Sequence, residues 1–154
     1  MRHVNKKGLS IIKKWEGFPE SRPGWTSVYL CPANRYTIGY GSTWDLDGNA
    51  IRADHPDITR EEAEKYLQRE VSHVEKAIEK LITAELTDNM FSALGSWAYN
   101  VGTGAMQRST LRQCLLRGEY EKAGDQLMRW VFAGPRRLQG LISRRLEEKS
   151  LFLS

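Results

Sequence analysis

Little in this sequence supports metal, redox or membrane chemistry. Its 154 residues include only two cysteines, Cys31 and Cys114, far apart and without the spacing of a zinc site or of a disulfide framework. Both read as free thiols from a reducing compartment. The three histidines, His3, His55 and His73, are scattered and have no partner at ligand spacing, so a metal centre lacks residues and no cofactor is expected. No apolar run is long enough for a membrane anchor or a signal peptide. The N-terminal stretch is instead polar and basic, with Arg2, His3, Asn5, Lys6 and Lys7, then Lys13 and Lys14. Gly39, Gly41, Gly102 and Gly104 assemble into neither a dinucleotide fingerprint nor a phosphate loop, and no serine stands in a nucleophile elbow. Nucleotide-binding and most hydrolase classes therefore lack their residues.

What is present suits one well-buried domain, because a chain of 154 residues with 40% hydrophobic content can hide most of its surface. Lys and Arg number 23 against 19 Asp and Glu, and the net charge of +4 favours polyanionic partners without naming one. Apolar residues Leu9, Ile11 and Ile12 among lysines predict a short amphipathic helix over Gly8 to Glu16, ended by Gly17. From Pro19 to Gly48 the composition turns to Pro, Gly, Thr, Tyr and Trp, and only Tyr36 to Gly41 reads as strand with tight turns. Thr59 and Glu62 have capping-box spacing, and Ala63, Tyr66, Leu67, Val74, Ala77, Ile78 and Leu81 then recur at helical intervals over about six turns. Shorter helices are expected through Phe91 to Val101, through Leu111 and Leu115 up to Gly118, and through Ala123, Leu127 and Trp130, stopped by Gly134 and Pro135. A final amphipathic helix from Leu138 to Phe152 is expected to carry Arg136, Arg137, Arg144 and Arg145 on a basic face.

The implied class is α+β. A small lobe over about residues 17–58 is followed by a long helix over about 60–82 and a helical lobe over about 83–154, onto which the N-terminal helix packs. A cleft between two such lobes is a usual place for a site.

The informative stretch runs from Glu16 to Thr43. Glu16 and Gly17 end the first helix, Cys31 is followed after five residues by Thr37, and Thr37 to Gly41 reads Thr, Ile, Gly, Tyr, Gly. This order resembles the phage-type lysozymes of glycoside hydrolase family 24, in which a Glu ends the first helix, an Asp or Cys follows, and a Thr opens a Thr, Ile, Gly run. The resemblance covers nearly the whole chain. Asp47 and Gly48 resemble the family's hairpin tip, and Tyr99, Asn100, Val101 and Gly102 its interlobe helix. Ser109 to Leu111, Trp130, Gly140, Leu141, Arg144, Arg145, Glu148 and the closing Leu151 to Ser154 follow in the family's order. Two departures stand out. Fourteen residues separate Glu16 from Cys31, more than most members have, and Ser42 stands where many have His.

The resemblance implies a lysozyme-like fold and cleavage of the β-1,4 bond between N-acetylmuramic acid and N-acetylglucosamine in peptidoglycan. Glycoside hydrolysis needs a proton donor to the leaving oxygen, and an inverting enzyme also needs a base that activates water on the opposite face. Glu16 is the implied donor, Cys31 the implied water activator and Thr37 the residue that orients the water. A thiol ionises near 8.5 and is a poor base near neutrality unless its surroundings favour the thiolate, which Arg35 or Arg22 would do. Among carboxylates, Asp45 and Asp47 belong to a turn with Gly48, and Glu20 is the runner-up for water activation. Arg144 or Arg145 is implied as the partner that orients Glu16. Tyr40, Asn100 and Thr110 match sugar-contacting positions, whereas Trp25, Trp44, Trp97 and Trp130 read as core or rim. The family also implies a monomer that stays in the host cytoplasm until a separate holin opens the membrane. Two non-enzymatic readings compete: nucleic-acid binding through the Arg-rich C-terminal helix, blunted by Glu147 and Glu148, and membrane disruption by that same helix. Hydrolysis and a transglycosylase outcome are both open.

Overall fold

Six two-residue strands and seven helices make up the computed structural model, which describes residues 1–154. The chain divides into two units, one formed by residues 13–72 and the other by residues 1–12 with 73–154.

Helix α1, Lys6–Glu16, begins in the second unit and ends in the first. It terminates because Gly17 adopts φ 75°, the left-handed conformation that closes a helix, and its N–H donates to the Lys13 carbonyl at 2.9 Å. After it come two antiparallel ribbons. Strand β1, Trp25–Thr26, pairs with β4, Ile58–Thr59, so that Trp25 lies opposite Thr59. Strand β2, Tyr29–Leu30, pairs with β3, Tyr36–Thr37, with Tyr29 opposite Thr37. The β2–β3 turn is closed by Cys31 N–H on the Arg35 carbonyl at 3.0 Å and Asn34 N–H on the Cys31 carbonyl at 2.8 Å, with Asn34 at φ 63°. The fourteen residues after Glu16 are thus a folded segment. Ser21 N–H donates to Trp25 O and Trp25 N–H to Arg22 O, and β1 anchors the far end on β4.

Helix α2, Arg60–Leu81, starts at the expected box: Thr59 N–H donates to Glu62 Oε1 at 3.2 Å while Glu62 N–H donates to Thr59 Oγ1 at 3.2 Å. Its Ala63, Tyr66, Leu67 and Val71 pack with Ile38, Ile51 and Ile58 as the apolar interior of residues 13–72. Gly39, at φ 64°, is required there, since a side-chain carbon on it would lie 2.9 Å from Ala63 Cβ.

In the other unit, helix α3, Asp88–Val101, is buried on all sides from Phe91 to Ala98, the pattern of a central core helix. Thr87 caps it by accepting the Met90 N–H at 3.1 Å. Around it lie α4, Thr103–Gln107, then α5, Thr110–Leu116, α6, Tyr120–Gln126, and α7, Gln139–Phe152. Trp97, Phe91, Leu94, Leu111, Leu115 and Phe152 fill the interior, and Trp97 meets Trp130 edge-on at 5.7 Å.

Several elements differ from the sequence expectation. The helix expected through Trp130 ends at Gln126 and tightens into a 3₁₀ turn over Leu127–Arg129. Helix α4 has no periodic signature because it is a little over one turn long. Arg136 and Arg137 are not on the final helix: they form β6, paired with β5, Phe132–Ala133, in an exposed hairpin around Gly134 and Pro135. Nor do Arg144 and Arg145 make a solvated basic face, being 3% and 0% exposed.

Candidate active site

Glu16 is half-buried at the end of α1, and its carboxyl rests against Gly41. A side-chain carbon on Gly41 would stand 2.7 Å from Glu16 Oε1, and Gly41 is also at φ 80°. Both constraints admit only glycine, so the Gly, Tyr, Gly run is the floor on which the carboxyl lies.

Cys31, Thr37 and Tyr40 belong to the same unit as the Glu16 carboxyl. Cys31 is a free, partly exposed thiol just beyond β2. The Arg35 backbone N–H holds its thiol below the ordinary range, with the Thr37 hydroxyl and the Ala33 N–H acting in the same sense and burial opposing them. The cationic charge expected of Arg35 or Arg22 is not among these causes. It is the Arg35 main chain that acts, and the Arg22 guanidinium sits 4.1 Å from the centre of the Trp25 ring. Thr37 is 3% exposed, and its hydroxyl also donates to the Arg35 carbonyl at 3.0 Å. With a single proton, that hydroxyl can donate to only one of the two acceptors at a time, the Arg35 carbonyl or the Cys31 sulfur.

Tyr29 was missed by sequence reasoning. Burial raises its hydroxyl above the ordinary phenol range, and the negative charges of Glu16 and Cys31 raise it further. One phenol is therefore coupled to both expected catalytic groups and remains a proton donor near neutrality. The available signal was its place two residues before Cys31, on the same face of an extended segment.

The competing carboxylates are committed elsewhere. Glu20 Oε2 accepts the Gly24 N–H at 2.7 Å, and Glu20 Oε1 faces Arg60 at 3.5 Å, so its role is to close the 19–24 turn. Asp45 accepts N–H bonds from Asp47 at 2.9 Å and Asn49 at 2.8 Å, which hold its carboxyl below the usual carboxylate range. Ser42 is fully buried. Tyr40, expected among the sugar contacts, is only 5% exposed; its hydroxyl accepts from Arg60 at 3.2 Å and its ring meets that of Phe18 at 5.2 Å.

Asn100, Thr110, Arg144 and Arg145 lie in the other unit. Glu148, fully buried on α7, accepts from Ser96 Oγ at 2.5 Å and from Arg144 Nε at 3.2 Å, and pairs with Arg145 Nε at 2.6 Å. Burial pushes the Glu148 carboxyl up, against the opposing pull of Arg145 and Arg144. Arg145 also donates to Asn100 Oδ1 at 2.8 Å, which fixes the side chain of that exposed residue. Thr110 is exposed at the start of α5 and lines a cavity of about 250 Å³ with Arg108, Arg129 and Trp130.

Comparison with known proteins gives concordant matches. A family model described as phage lysozyme matches residues 13–148. The endolysin of Acyrthosiphon pisum secondary endosymbiont phage 1 is 36% identical over 156 residues, covering 99% of this chain and 99% of that protein. The endolysin of Bacillus phage B103 is 36% identical over 154 residues and covers 99% of this chain, which spans only 54% of that longer protein. Among solved structures, the crystal structure of a mutant of P22 lysozyme superposes with a TM-score of 0.83 at 30% identity, covering 100% of both chains.

Proposed function

This chain belongs to the phage lysozyme family, and we propose that it is an endolysin: a muramidase that cleaves the β-1,4 bond between N-acetylmuramic acid and N-acetylglucosamine in bacterial peptidoglycan. The observation that carries the mechanism is the placement of Glu16. Its carboxyl is held on Gly41, within the unit that also holds Cys31 and Thr37, and Tyr29 feels the charges of both Glu16 and Cys31.

Glu16 donates its proton to the oxygen of the departing sugar as the glycosidic bond breaks. Cys31, favoured as thiolate by the Arg35 N–H and the Thr37 hydroxyl, accepts a proton from the attacking water. Thr37 orients that water. Glu20 does not compete for this role, because one of its oxygens accepts the Gly24 N–H and the other faces Arg60 at the start of α2. Arg144 or Arg145 is the proposed orienting partner of Glu16, with Asn100 and Thr110 as sugar contacts. Arg145's bond to Asn100 supports the last assignment by presenting that amide in one orientation.

The enzyme acts as a monomer on glycan strands and reaches them from the host cytoplasm once a holin has permeabilised the membrane. No helix is long and apolar enough to cross a membrane. Nucleic-acid binding through the C-terminal helix loses its main support, since Arg144 and Arg145 are buried and pair with Glu148.

The test is Glu16→Gln. The variant is expected to fold as wild type and to lose release of reducing ends from peptidoglycan by several orders of magnitude. Mass analysis of the products then separates hydrolysis, which leaves reducing ends, from transglycosylation, which leaves anhydro ends. Near-wild-type turnover by Glu16→Gln overturns the mechanism.

A further inference from the structure

We infer that Arg60 is a positioning residue for the general acid, acting through Phe18 and Tyr40; this rests on Glu16 being the proton donor. Two turns define where the Glu16 carboxyl lies. One is Gly17–Phe18, which follows it in the chain, and the other is Tyr40–Gly41, against which it rests. Their separation is set by side chains: the Phe18 and Tyr40 rings meet at 5.2 Å with a 46° tilt. Arg60 contacts both side chains at once, the face of one ring and the hydroxyl of the other. Its guanidinium carbon is 4.0 Å from the centre of Phe18, and its Nη1 donates to the Tyr40 hydroxyl at 3.2 Å.

Arg60 is suited to this because its own place is fixed. It is the first residue of the 22-residue helix α2, and its N–H donates to the Gly24 carbonyl at 3.1 Å. Glu20 draws its Nη2 at 3.5 Å, and Gly24 N–H in turn holds Glu20 at 2.7 Å. The segment that lengthens the path from Glu16 to Cys31 thus orients the arginine. One turn further along α2, Glu64 pairs at 2.7 Å with Lys13, whose ammonium lies 5.7 Å from the Tyr40 ring centre. The Arg60–Glu20 pair is half-exposed, and such pairs contribute little to stability, so the consequence of this arrangement is the geometry of the acid rather than the survival of the fold.

The experiment measures kcat and KM on soluble glycan strands for wild type, Arg60→Met, Arg60→Lys, Tyr40→Phe and the double variant Arg60→Met with Tyr40→Phe. Because small misplacements of a catalytic group cost roughly one to two orders of magnitude, Arg60→Met is expected to lower kcat about 10- to 50-fold with KM within about twofold. Tyr40→Phe keeps the ring and loses only the hydroxyl, and is expected to lower kcat by roughly 3- to 10-fold. The double variant should be no worse than Arg60→Met, because both changes remove one shared interaction. Arg60→Lys keeps a charge over Phe18 without the second bond and falls between. In a Glu16→Gln background, glycan-strand affinity is expected to be the same with and without Arg60→Met. A kcat for Arg60→Met within about twofold of wild type overturns the inference, as do additive losses in the double variant. A rise in KM at constant kcat also overturns it, since that assigns Arg60 to sugar binding. If Glu16→Gln is inactive while Arg60→Met turns over normally, only the positioning role fails. If Glu16→Gln is active, the acid assignment itself fails.

Discussion

Gly41→Ala separates the demands of the backbone from those of the acid. At φ 80° an L-residue at position 41 adopts a left-handed conformation, which costs roughly 1–2 kcal/mol. For a chain of this size that lowers Tm by about 2–8 °C. The added methyl also stands 2.7 Å from Glu16 Oε1, closer than real contacts permit, so the carboxyl must move. A shift approaching ~1 Å at the proton donor is expected to lower kcat about 100-fold. Gly118→Ala is the control, with nearly the same φ, 74°, and nothing within 4 Å of the new methyl. Calorimetry should give the two variants similar losses in Tm, while reducing-end assays should give Gly118→Ala full activity. Turnover by Gly41→Ala within roughly threefold of Gly118→Ala refutes the claim that Gly41 sets the carboxyl's position.

Cys31 should alkylate with a pH midpoint below the ordinary thiol value of about 8.5, because donors favour its thiolate, while buried Cys114 reacts only on unfolding. In the same sense, the stability gained from the Cys31 thiolate is present above the unfolded thiol's pKa and is lost as pH falls through the lower folded value. A midpoint at or above the ordinary value, read by mass spectrometry of alkylated peptides, contradicts the donor geometry. Cys31→Asp is expected to keep far more activity than Cys31→Ser, with an optimum moved to lower pH; the reverse order in activity assays assigns Cys31 to packing. Glu148→Gln removes a fully buried charge that pairs with Arg144 and Arg145 and is expected to destabilise by about 3–5 kcal/mol in denaturant titration. A loss below roughly 1 kcal/mol would mean that the pair is compensated by other groups.

The helices were legible where periodicity ran over several turns, as in α2, whose Ala63, Tyr66, Leu67 and Ile78 are all buried. The ribbons were not, since two-residue strands carry no alternation. β1 exists because Ile58 and Thr59, more than thirty residues away, offer it hydrogen bonds. Arg136 and Arg137 were misplaced because their amphipathic spacing continues that of α7, while Gly134 and Pro135 fold the segment into a hairpin. In the site, Glu16 and Thr37 were found through motif order, but Tyr29 and Arg60 were not. Their roles arise from partners distant in sequence: Glu16 for the first, Phe18 and Tyr40 for the second. Glu20 looked available on the page of residues and became unavailable once Gly24 and Arg60 closed around it.

Asn89 accepts a hydrogen bond from the Asn5 amide at 3.0 Å and donates one to Ser154 Oγ at 2.9 Å, and Val4 N–H is held by buried Glu75 at 2.7 Å. The unit containing these bonds is assembled from residues 1–12 and 73–154, whereas residues 13–72 form an uninterrupted segment. During synthesis the uninterrupted segment, with Glu16, Cys31 and Thr37 in it, is complete while half the chain is still to be made. The first residues must wait for α3, and α3 in turn waits for α7 and its Glu148. Contacts closed over such sequence distances form late and slowly. The clock of translation, and not only the chemistry of the site, therefore sets the moment at which a folded molecule first exists.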